Sequence, residues 1–71
     1  MNMHKKLDLY CVGARLEYRG RAEKPYELDY IRGTIAKVDP RNVEFRYLVY
    51  FDSGAKKWMT RAEVMAQYQV I

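Results

Sequence analysis

The chain has 71 residues, with 13 Lys and Arg against 9 Asp and Glu, a formal net charge of +4, and 49% hydrophobic residues. That length holds one small core and no deep enzyme pocket, and the apolar fraction excludes an intrinsically disordered chain. The single cysteine excludes a disulfide scaffold, and the apolar runs are too short for a membrane-spanning helix.

Residues 1–10 read as a flexible lead-in without sustained alternation, and the domain proper as 11–71. The opening Met1-Asn2-Met3-His4-Lys5-Lys6 is basic, but no long apolar segment follows, so it does not read as a secretory signal. From Val12 the pattern has a period of two. Val12, Ala14, Leu16 and Tyr18 alternate with Gly13, Arg15, Glu17 and Arg19, the signature of a half-buried strand. Gly20 and Pro25 end it in a polar loop. A second strand is predicted from Asp29 to Val38, with Ile31, Gly33 and Ile35 on one side. Gly33 within it implies a bend, a bulge or a close approach of another segment.

Asp39-Pro40-Arg41-Asn42 is a turn. The third strand, Val43 to Phe51, is rich in β-branched and aromatic residues, with Phe45, Tyr47, Val49 and Phe51 on one face. Asp52-Ser53-Gly54 forms a tight hairpin into a fourth strand, Ala55 to Thr60. Thr60-Arg61-Ala62-Glu63 matches a capping box and predicts one helical turn. Gln67 to Ile71 returns as a short fifth strand. Five short strands in about 60 residues bury both sheet faces by curling into a small SH3-like all-β barrel; a small open sandwich is the alternative.

No catalytic set, phosphate loop or Cys/His metal cluster is present in the sequence, and no cofactor or metal is implied. His4 reads as a tail residue, and Cys11 as a small buried hydrophobe in a reducing compartment. The aromatics carry more. Phe45, Tyr47 and Trp58 alternate with core candidates and are assigned to the core or a mixed role. Tyr18, Tyr30 and Tyr50 each bear a hydroxyl that needs water or a partner, so they are expected to edge a groove.

The segment Tyr47-Leu48-Val49-Tyr50-Phe51-Asp52-Ser53-Gly54, followed by Lys57-Trp58-Met59-Thr60-Arg61-Ala62-Glu63-Val64, resembles a Tudor domain of the royal family. Val12 to Tyr18 and Arg32 to Ile35 resemble that family's first two strands. Phe45 to Asp52 is similar to a stretch in the Tudor domains of SET-domain bifurcated histone H3 lysine-9 methyltransferases. The resemblance implies a non-catalytic reader of methylated lysine or arginine in chromatin, hence a nuclear setting and a protein tail such as a histone's as partner. Tyr18 and Phe51 match cage aromatics, and Asp52 matches the first acid of the hairpin. Ser53 replaces the second acid, and Ala55 stands where an aromatic is frequent. The strand-two aromatic aligns with Tyr30 or with Ile31. Tyr50 and Trp58 are the candidates to replace a missing wall.

The expected site is therefore an aromatic pocket of Tyr18, Tyr30, Tyr50 and Phe51 with Asp52 adding charge attraction. It would take a peptide segment, methylated or unmodified. The alternative is nucleic-acid binding, with Arg15, Arg19, Arg21, Arg32, Lys56 and Lys57 tracking phosphate while Tyr18 or Tyr50 stacks a base. A third reading is a structural barrel docked on a neighbouring domain of a larger protein.

Overall fold

The structure, a computed structural model, describes residues 10–71. The lead-in reading of the first nine positions, His4 included, lies outside the described residues. The elements in chain order are β1 (Arg15–Tyr18), a 3-10 helix (Pro25–Tyr30), β2 (Arg32–Val38), β3 (Tyr47–Phe51), β4 (Lys56–Met59), α1 (Arg61–Gln67) and β5 (Tyr68–Val70). They make a five-stranded antiparallel sheet in the order β4-β3-β2-β1-β5.

The sheet is curled. In a flat sheet β3 and β5 would lie about 14 Å apart, at roughly 4.8 Å per strand. Instead the rings of Phe51 and Tyr68 meet at 6.1 Å between centroids. Every strand sends a side chain into one core: Leu16, Ile35, Tyr47, Val49, Phe51, Met59 and Tyr68, with Val64 added by α1. This is the small SH3-like all-β fold expected from the alternation.

Several boundaries moved, each for a local reason. The segment before β1 is a turn, because Gly13 takes φ +94° and its amide donates to the Ile35 carbonyl at 2.8 Å. Cys11 on that turn is exposed, so its assignment as a buried hydrophobe is corrected. Tyr10, counted with the lead-in, instead packs its ring edge-on against Tyr47 at 6.0 Å. Asp29 and Tyr30 belong to the 3-10 helix and not to the second strand. β3 starts only at Tyr47, because Asn42 Oδ1 accepts from the amides of Glu44 (3.1 Å) and Phe45 (2.9 Å) and holds that stretch in a turn. Phe45 is thereby 43% exposed, and Trp58, opposite Leu48 on the outer face, is 40% exposed; the core reading fails for both.

Gly33 marks a close approach. A Cβ there would meet Val49 Cγ1 at 2.8 Å, Phe51 Cδ1 at 2.9 Å and the Tyr50 carbonyl at 3.0 Å. The bulge falls later, between Ile35 and Lys37. The Thr60–Glu63 capping box forms, with both reciprocal bonds at 3.0 Å, and nucleates a seven-residue helix, longer than the single turn expected. Val64 is fully buried and anchors that second turn to the core.

Candidate functional site

Strand register decides which side chains meet. Tyr18, the last residue of β1, pairs with Tyr68, the first of β5. Both follow the inward parity of Leu16 and Val70, so their rings come together at the barrel's end, 5.6 Å apart and edge-on. The Tyr68 hydroxyl donates to the Tyr30 carbonyl at 2.5 Å and ties β5 to the 3-10 helix. The Tyr30 ring then stands perpendicular to Phe51, 5.1 Å between centroids. Pro25 opens the 3-10 helix and brings Tyr26 and Glu27 to the rim.

Lys57 completes the ring of residues. It pairs with Val49, which faces the core, so it shares that face of β4 and stands exposed at the edge of the pocket. Its ammonium lies 5.7 Å from the Tyr30 centroid. Tyr18, Tyr26, Glu27, Tyr30, Lys57, Gln67 and Tyr68 line an open pocket of about 220 Å³. Burial pushes the Tyr68 phenol up to about 12, helped by neighbouring Tyr18, Glu63 and Tyr30.

Of the expected pocket residues, the structure brings Tyr18 and Tyr30 together. Phe51 is 4% exposed and supports Tyr30 from behind, in the core. Tyr50 is corrected: alternation turns it to the opposite face from Phe51, beside Lys56 at 5.3 Å. Asp52 is corrected too. It forms a two-pronged pair with Arg15 at 2.8 and 2.9 Å, which holds its carboxyl below the ordinary range. The carboxylate at the pocket is Glu27, whose Oε2 accepts from the Glu23 amide at 3.1 Å.

Tyr26, Glu27, Gln67 and Tyr68 were not read from the sequence as site residues. The signal for the first two was Pro25 followed by an acid, which marks a helical first turn. For Tyr68 it was the alternation of Tyr68 with Val70.

The six cations of the nucleic-acid reading do not form one track. Arg15 is bound by Asp52 and Thr34, and Arg32 by Glu17 at 2.9 Å. Arg19 Nε donates to the Tyr68 carbonyl at 2.8 Å. Lys56 and Lys57 sit on opposite faces of β4. Arg21 is exposed on the loop after β1. Comparison with known proteins finds no family model, no curated protein and no solved structure that matches the chain.

Proposed function

We propose that the chain is a non-catalytic, Tudor-like binding module that takes a cationic side chain of a protein segment into the tyrosine pocket. A methylated lysine or arginine is the group that fits best. One observation carries the reading: the chain's own ammonium, that of Lys57, already leans on the Tyr30 ring. The site's rings thus face where a cation can sit, and cation–π attraction supplies about 0.5–2 kcal/mol per ring. Methylation keeps the charge but weakens hydration, so a methylated ammonium leaves water for such walls more readily than lysine does. Glu27 supplies the opposing charge in place of Asp52. The chromatin and nuclear setting is proposed from the sequence resemblance.

The test is a titration of the intact chain with histone-like peptides carrying unmodified, methylated lysine or methylated arginine, followed by backbone amide shifts. Shifts confined to Tyr18, the 3-10 helix, Lys57 and Tyr68, larger for a methylated peptide, support the reading. Equal responses to methylated and unmodified peptides remove the cage, and no response to any removes the module.

A further inference from the structure

The outer face of the curled sheet carries a second arrangement, on the side opposite the pocket. Register places two cross-strand rows there. Arg15, Thr34, Tyr50 and Lys56 line one across β1, β2, β3 and β4; Lys37, Leu48 and Trp58 line the next across β2, β3 and β4. Tyr50 is 46% exposed and Trp58 40%, and they are diagonal neighbours on adjacent strands. Such neighbours stand about 7–8 Å apart on one surface. Two large rings stand open to water on the sheet, and the Lys56 ammonium lies over the Tyr50 ring, 5.3 Å from its centroid, where it sets a cation beside a stacking surface.

The charge on this face is one-sided. Glu17 and Asp52 are its paired carboxylates, and both are bound by arginines, Arg32 and Arg15. Lys37 and Lys56 make no ion pair among the described residues. Lysine is depleted from the centre of protein–protein interfaces, whereas a groove for nucleic acid combines lysines with stacking rings. Each row here holds one ring and one lysine, a spacing that lets a base stack while its phosphate meets an ammonium.

We infer that this outer face binds single-stranded nucleic acid, with bases stacked on Tyr50 and Trp58 and phosphates held by Lys37 and Lys56. A single strand is required because a duplex hides its base faces in the stack. The surface differs from the six-cation track in drawing on Lys37 and Trp58 and in leaving Lys57 to the pocket. It is independent of the peptide reading, since Tyr50 and Phe51 point to opposite faces of β3.

Trp58 is the chain's one tryptophan, so its fluorescence reports on this face alone. The intact chain is titrated with short oligo(dT) at low salt. Saturable quenching is expected, weakened roughly tenfold or more in the exposed double variant K37E/K56E and unchanged in Tyr26→Ala at the pocket. Circular dichroism of K37E/K56E checks that the fold is kept. A flat fluorescence trace overturns the inference. So does quenching that K37E/K56E leaves intact, or amide shifts that fall on Tyr18, Tyr30 and Tyr68 instead of β3 and β4. Binding of a protein segment to the outer face without any oligo(dT) response also overturns it.

Discussion

Lys57 competes with any cation that enters the pocket, because its ammonium shares the Tyr30 face. Lys57→Ala is expected to strengthen binding of a trimethyl-lysine peptide a few-fold, the equivalent of about 0.5–1 kcal/mol for one exposed cation–π contact. Weaker binding in that variant, measured by calorimetry, would assign Lys57 to holding the ligand. Gly33 is the second decisive residue. Its missing Cβ leaves room for Val49, Phe51 and the Tyr50 carbonyl, all at 2.8–3.0 Å from where it would stand. A side chain can turn aside, but the carbonyl belongs to the sheet. Gly33→Ala is expected to destabilise the fold by about 1–3 kcal/mol in urea unfolding. Tyr68 gives a pH dependence. Its folded-state value, about 12, lies above the ordinary 10.0, so the folded chain keeps a proton that the unfolded chain loses. That contribution is fully present below pH 10.0 and is lost as pH rises toward about 12. Tyr68→Phe lowers stability at neutral pH by about 1 kcal/mol through the lost bond to Tyr30. The gap to the wild type should narrow as urea midpoints are followed from about pH 9 to about 12.

Elements with a strong periodic pattern or a capping-box motif were legible; the turn that Asn42 holds ahead of β3 was not. Tyr47, Val49 and Phe51 alternate cleanly, and their inward face was readable without coordinates. The preceding Val43 and Phe45 look equally strand-like. Asn42 overrides them, because its amide oxygen captures two backbone donors before the ladder can. The tyrosine pocket was half legible for a related reason. Tyr18 and Tyr30 stood out as rings with no core role, but Tyr26 and Glu27 reach the rim only because residues 25–30 coil as a 3-10 helix. Lys57 was misplaced, since its face on β4 is known only once its register against Val49 is; Tyr50 was not hidden in this way, because the alternation that turns Phe51 inward already turns Tyr50 outward. α1 shows how an end controls its element. A seven-residue helix is too short to persist alone, so it depends on its cap and on Val64. Thr60→Ala is expected to remove about 0.5–2 kcal/mol of stability. Because α1 runs directly into Tyr68, hydrogen exchange of β5 amides should rise in that variant more than exchange in β2 and β3. Uniform acceleration across the sheet would mean that the cap acts only on global stability.

At the scale of the molecule, charge pairing determines how salt acts on the outer face. The chain carries a formal +4, yet four charged groups of that face are tied into two arginine–carboxylate pairs. If phosphates meet only Lys37 and Lys56, the single-strand rule of about 0.7 per phosphate gives a log–log salt slope near −1.4. Six engaged cations would give about −4. Trp58 quenching by oligo(dT) between about 50 and about 200 mM salt separates the two outcomes. Protons supply the second half of the test. Arg32 holds the Glu17 carboxyl below its ordinary 4.5, with Gln69 assisting, and Arg15 holds that of Asp52 below 3.8. Both pairs therefore persist to lower pH than free carboxylates would allow, and the slope should stay constant from neutral pH down to the ordinary carboxylate range. Below it both carboxyls take up protons, their contribution to stability is lost as pH falls, and Arg15 and Arg32 are released. The salt slope should then steepen toward −3, since two further cations become available to phosphate, about 0.7 for each. A slope that is already steep at neutral pH would mean that the arginines leave their carboxylates for the strand.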